Sequence, residues 1–217
     1  MIYTITTWVL PLLLTIILHE VAHGFVALQL GDTTAKRAGR LTLNPLTHID
    51  ILGTLVMPIV LIVAQAPVLF GWAKPVPVNF SALQNPKRDM GLVALAGPVS
   101  NFVLAILFVL LARVAVAVLP SESPILTWIL LNVYNGVSLS LIIGIFNLFP
   151  VLPLDGGRIL VSLLPEPYSS KYQETEQYGF FILMGLLFVL PMMGINVISL
   201  FVGTLLPFFQ RMVNLFT

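Results

Sequence analysis

His19, Glu20 and His23 stand together in the run Leu18-His19-Glu20-Val21-Ala22-His23-Gly24, an H-E-x-x-H pattern. On a helix, residues four apart lie about 40° apart around the axis, so the two imidazoles can address one point in space. A divalent metal ion is the natural occupant of that point, and Glu20, on the same side, can reach a water bound to it. The chemistry such a set performs is metal-assisted hydrolysis with the carboxylate as general base. The setting is unusual, because the flanking sequence from Trp8 to Leu30 is otherwise almost wholly apolar.

Catalytic zinc takes three protein ligands and keeps a position for water. The chain has no cysteine, so thiolate ligands and disulfides are excluded. The third ligand is therefore another histidine, an aspartate or a glutamate. His48 reads in three ways: a neighbour of the metal ligands, a regulatory group competing for the metal, or a polar loop residue. Asp155 is the stronger candidate, in the stretch Asn147-Leu-Phe-Pro-Val-Leu-Pro-Leu-Asp155-Gly-Gly-Arg158. Its prolines end a helix and its glycines permit close or left-handed backbone, which suits a carboxylate carried to depth on unwound chain. A turn before Gly-Gly is the plainer reading of the same residue. An isolated carboxylate at the bilayer centre costs on the order of 2.5–3.5 kcal/mol, whereas Glu20 and Asp155 together balance one divalent cation. Asn147 closes the preceding helix, where it reads as a helix-terminal or turn residue or as a contact to substrate.

These residues need elements to hold them, and the composition says where those elements lie. Hydrophobic residues make up 58% of the chain and charged residues 9%, with a mean hydropathy of +1.02. A soluble domain is roughly a quarter charged, so lipid must cover much of this surface. The net charge of +1 gives no basis for a nucleic-acid partner. The first apolar run is too long for a signal peptide and lacks its cleavage site. About 20 apolar residues cross the hydrocarbon, and Trp8–Leu30, Met90–Leu119 and Ile125–Phe149 each qualify. Tyr178–Phe216 is broken by Pro191 and Gly194, and reads as one span plus a surface helix or as two short helices. Residues 51–66 are short and carry Pro58. Lys36, Arg37 and Arg40 on one side of them, and Lys74, Lys87 and Arg88 on the other, place both flanking loops in the cytoplasm, with loop 120–124 outside. Parity then makes 51–66 a re-entrant or surface-lying segment, buried in protein or lining a wet cavity.

Phe70–Phe80 reads as extended chain in which Pro75 and Pro77 lack donors on one side while Val76 and Val78 keep theirs on the other. That predicts a short edge strand, able to hold an unwound substrate by β-augmentation. The expected fold is an all-α polytopic membrane protein. It is a bundle of about 4–6 membrane helices, with the re-entrant segment and the edge strand attached. Residues 1–217 form one membrane-embedded domain, with a catalytic core of about 8–165 and C-terminal membrane segments over 178–216. Asp50 is expected to cap the 51–66 segment. Gly97-Pro98 and Asn101 read as a kink and an interhelical hydrogen bond.

The H-E-x-x-H pattern in one membrane helix, with Asn147-x-x-Pro150 and Leu154-Asp155-Gly156 after a later one, resembles the site-2 protease family of intramembrane zinc metalloproteases. Gly97-Pro98-x-x-Asn101 and the run Gly39 to Asp50 are similar to a compact bacterial branch without a PDZ domain. The resemblance implies one zinc ion per chain, held by His19, His23 and Asp155. It implies that Glu20 activates the water and that Asn147 contacts the substrate backbone or the developing oxyanion. It also implies substrates that are membrane proteins with a transmembrane segment, cut within a bacterial-type cell membrane. A zinc-binding membrane transporter is the competing reading, but it would need a path of exchangeable sites and has no use for a general base. A catalytically silent scaffold would lack the complete ligand set.

Overall fold

The computed structural model describes residues 2–65 and 71–214. Ten helices are formed among them: α1 (Ile2–Gln29), α2 (Thr34–Arg37), α3 (Met57–Val63), α4 (Pro86–Val118), α5 (Pro124–Asn147), α6 (Asp155–Leu163), α7 (Tyr168–Gln173), α8 (Gly179–Met184), α9 (Leu190–Met192) and α10 (Val197–Asn214). Four helical stretches are long and apolar enough to cross a membrane: Ile5–Gln29, Pro86–Val118, Pro124–Asn147 and Tyr168–Met192. The chain is an all-α polytopic membrane protein. Its ambiguous C-terminal region resolves into the candidate span 168–192 followed by the shorter α10; Phe216, expected to end the C-terminal segment, lies outside the described residues.

α1, α4 and α5 form the centre of the bundle, and cross-helix bonds fix their directions. Trp128 Nε1 donates to Thr6 Oγ1, Asn135 Nδ2 to the Thr7 carbonyl, and Thr15 and Ser140 share a hydroxyl bond at 3.1 Å. Rising numbers on α1 meet rising numbers on α5, so these two helices are parallel. Rising numbers on α1 meet falling numbers on α4, where His19 lies against Asn101 and His23 against Val93. α4 is antiparallel to both. Ala105, Val109 and Leu141 pack between α4 and α5, and α10 closes over them with Phe209 stacked on Phe102 at 4.1 Å. Many outward side chains, such as Trp8, Leu107 and Val114, are apolar and exposed, as a lipid-facing surface requires.

α1 ends where Gly31 takes φ +108°, with Asp32 N–H donating to the Ala27 carbonyl. This is the glycine-terminated helix end that satisfies carbonyls left open in the last turn. Asp32 is then buried, and its carboxylate accepts from the amides of Thr34 and Asn79. That bond ties the end of the first span to the extended segment before α4.

Segment 51–63 begins at Asp50, whose side chain caps it by accepting from Gly53 N–H at 2.7 Å, as expected. A π-helical turn, Ile51–Val56, leads into α3. At 1.5 Å per residue its thirteen residues cover about 20 Å, too little to cross the hydrocarbon. The chain comes back alongside its own start: Trp72 N–H donates to Gly53 O and Lys74 N–H to His48 O. Entry and exit therefore share one side, in agreement with the parity argument. Ala66 and Phe70, the expected limits of the two adjoining segments, lie outside the described residues.

The edge strand needs correction. Residues 71–79 are extended, but no β-ladder forms among the described residues. Pro75 and Pro77 remove alternate donors, and the donors next to them are spent elsewhere, Lys74 on His48 and Val76 on Glu20. With no neighbouring strand, this stretch is a single extended lining.

Candidate metal centre

The three residues singled out by spacing and composition converge. His19 Nε2 lies 3.1 Å from His23 Nε2 and 3.1 Å from Asp155 Oδ2, and His23 Nε2 lies 3.4 Å from Asp155 Oδ1. A tetrahedral ion with ligand bonds of 2.0–2.1 Å holds its donors roughly 3.3–3.4 Å apart, so the triangle has the size zinc needs. Among the described residues this is the one group of three or more such side chains arranged to hold a metal.

The hydrogen-bond pattern supports the same occupant. His23 Nδ1 lies 2.7 Å from the carbonyl of Val93. A carbonyl can only accept, so Nδ1 carries the proton and Nε2 of the neutral ring presents a lone pair. Asp155 Oδ2 is buried without a hydrogen-bond donor. Lone pairs and a carboxylate facing one another at this range call for a cation between them.

Each ligand reaches the site for a local reason. His19 and His23 share one face of α1, one turn apart. Asp155 is the first residue of α6, after the turn Leu148–Leu154 that follows α5. Gly156 and Gly157 allow that turn to fold back tightly: a Cβ on Gly156 would sit 2.1 Å from the Leu148 carbonyl oxygen, and one on Gly157 would sit 2.5 Å from the Leu152 nitrogen. No residue with a side chain fits either place. Gly97 on α4 serves the opposite wall, since its missing Cβ would lie 2.4 Å from His23 Nε2 and 2.6 Å from His19 Nε2. α4 thus presents the Val93 carbonyl, the void at Gly97 and the Asn101 side chain to the imidazole pair at successive four-residue intervals.

Glu20 is held through Oε2 by the main-chain N–H of Val76 at 2.8 Å. This bond was not foreseen; the alternation of prolines around Val76 was the only hint that its amide faces the site. Val76 is buried and Val78 packs beside the cluster of Ala27, Leu83 and Val93. Asn147, the last residue of α5, donates to the Ile143 carbonyl one turn back. His48 is outside the metal group. It is buried, its Nε2 bonds the Thr42 carbonyl, and its own carbonyl receives Lys74 N–H. Its ring bonds within the 39–50 loop, and its main chain receives the returning segment. Arg158, at the end of the Asn147–Arg158 stretch, pairs with Glu176 at 2.5 Å and lies over the Phe80 ring.

Comparison with known proteins decides the family. Residues 113–190 match Peptidase family M50, a stretch that includes Asp155 but not the histidine pair. The chain is similar to YwhC of Bacillus subtilis (strain 168), named as a zinc metalloprotease, with 40% identity over 193 residues, 85% of this chain and 80% of that protein. The chain belongs to the site-2 protease family of zinc metalloproteases. It is also similar to Rip2 of Mycolicibacterium smegmatis, likewise named as a zinc metalloprotease, with 32% identity over 180 residues, 81% of this chain and 64% of that protein. No solved structure matches the chain. A zinc metalloprotease of this family displaces the transporter and scaffold readings, and the His19–His23–Asp155 triangle is where its fold can hold the metal.

Proposed function

We propose that the chain is an intramembrane endopeptidase that cuts membrane proteins within or near a transmembrane segment, with Glu20 as general base. The observation that carries this reading is the depth of the metal triangle inside apolar helices. His19 and His23 lie ten and six residues before Gln29, which puts them about 9–15 Å in from the end of the first span. Val93 and Gly97 lie about 10–17 Å in from the start of α4, at the same level.

In this reading His19, His23 and Asp155 hold one zinc ion. Bound there, zinc would supply Lewis acidity and lower the pKa of a water to about 7. Glu20 takes the proton from the attacking water as the new C–O bond forms. It then gives that proton to the amide nitrogen as the C–N bond breaks, leaving a carboxylate and an amine. Val76 N–H keeps the Glu20 carboxylate turned toward the reacting water. The extended segment 71–79 borders the substrate, which must present an unwound backbone because a helix hides its carbonyls. Asn147 reaches the substrate or the oxyanion by turning away from Ile143.

Lys36, Arg37, Lys87 and Arg88 all sit at the end of the bundle nearer the triangle. The positive-inside tendency supports a cytoplasmic-side active site in a bacterial-type cell membrane. The partners are single-span membrane proteins and the bilayer itself. Cleavage of a reconstituted single-span substrate tests the reading. Wild type is expected to cut within the span, and Glu20→Gln to lose cleavage while keeping zinc. Cleavage only in soluble loops, or undiminished activity in Glu20→Gln, would refute it.

A further inference from the structure

We propose that Asn101 is a positioning residue for the metal centre: its carboxamide oxygen accepts the Nδ1 proton of His19 and so keeps Nε2 of that ring bare and aimed at the metal. The inference rests on the zinc-protease reading and adds to its site a side chain that acts only through His19.

Asn101 is completely buried, in the middle of a lipid-spanning helix; as placed, its Nδ2 lies 3.1 Å from His19 Nδ1 and its Oδ1 has no hydrogen-bond partner, so the two ends of the amide must exchange for the oxygen to meet the ring. Its backbone is wedged between α1 and α5, where a Cβ on Gly144 would come within 3.3 Å of its own Cβ. The side chain therefore has little room except to turn end for end.

That turn matters. With Nδ2 toward the ring, His19 Nδ1 would accept, and the ring proton would sit on Nε2. There it would point into a gap of 3.1 Å shared with His23 and Asp155, where the cation must go. With Oδ1 toward the ring, the proton is held on Nδ1 and Nε2 is free to ligate. The two ends of a carboxamide differ little in shape, so ligand chemistry decides between them. His23 is fixed in the same state by the Val93 carbonyl. α4 thus orients both imidazoles, one through its main chain and one through Asn101. Outer partners of this kind typically contribute tenfold to a hundredfold in metal affinity.

Two variants separate the acceptor role from packing. Asn101→Leu keeps the volume and removes the bond, whereas Asn101→Asp keeps the shape and offers only acceptors. Purified protein in detergent is titrated with a zinc chelator, and the melting temperature of the stripped protein checks the fold. The leucine variant is expected to bind zinc about 10–100-fold more weakly, with the aspartate variant within a few-fold of wild type. Leucine behaving as wild type, or aspartate losing as much as leucine, would overturn the proposal. If the leucine variant does not fold, ring-nitrogen NMR of zinc-loaded wild type decides: His19 must show a protonated Nδ1 and a ligating Nε2, and the reverse would sink it. Because the readout is zinc affinity, a failure here leaves the Glu20 test of proteolysis standing.

Discussion

Glu20 and Gly97 show how little tolerance the site has. Glu20→Gln keeps the length and the Val76 bond acceptor but removes the base, so turnover should fall about 10²–10⁴-fold with zinc content unchanged by metal analysis. Gly97→Ala is a harsher test than its size suggests. The added methyl would meet two imidazoles at 2.4–2.6 Å, on the face of α4 that packs against α1. The expected outcome is loss of bound zinc in a protein that still inserts and extracts normally. The H-E-x-x-H residues and Asp155 were legible in the sequence, because a local spacing or a carboxylate stranded among apolar residues betrays them. Beyond their part in the family resemblance, Gly97 and Asn101 were visible as no more than a kink and a generic helix contact. Their work is done across an interface between residues some eighty positions apart, and nothing in the local pattern says which face of α4 meets α1. His48 shows the limit from the other side: the residue type suggests a ligand, whereas its Nε2 bonds the Thr42 carbonyl and lies outside the His19–His23–Asp155 group.

At the level of elements, the extended segment 71–79 is held from both ends. Asp32 secures Asn79, and Trp72 fills the space over Gly53, where a Cβ would meet the indole at 2.4 Å. Val76→Pro removes the amide that steadies Glu20, so cleavage should drop while zinc is retained. If Val78→Pro is equally damaging, substrate pairing along the segment outweighs the Glu20 bond; a selective effect at Val76 favours the bond. Burial pushes the Asp32 carboxyl up, but hydrogen bonds from Thr34 and Asn79 and the charge of Arg37 outweigh it and leave it below its ordinary value. A lowered value means the carboxylate stabilises the fold above the usual carboxyl range and loses that effect as the pH falls through the folded value. Asp32→Asn should therefore lower thermal stability at neutral pH and narrow its difference from wild type in acid. The α6 turn admits less: Gly156→Ala drives a methyl into the Leu148 carbonyl and should dislodge Asp155, seen as zinc loss. The extended character of 71–79 could be read from its prolines. Its lack of a strand partner could not, since that depends on what the rest of the chain places beside it.

For the whole molecule, the directions of α1, α4 and α5 place the 36–40 and 86–88 loops at one end and the 120–124 turn at the other. Single cysteines introduced into this cysteine-free chain at Lys36 and Ser121 should label from opposite faces of intact vesicles; labelling from the same face would break the topology and the proposed siting of the active centre. The contacts linking α1 to α5 bear on the height of His19 in the bilayer. Each such polar bond contributes only about 0.6 kcal/mol in lipid, yet Thr6, Thr7 and Thr15 engage three separate partners along the shared length. Sliding one rod past the other would break all three together, and a new set forms only after a full turn. The helix that carries the imidazoles is keyed to its neighbour like a pawl in a notch, so an axial pull on it would be met by a stop rather than by gradual drift.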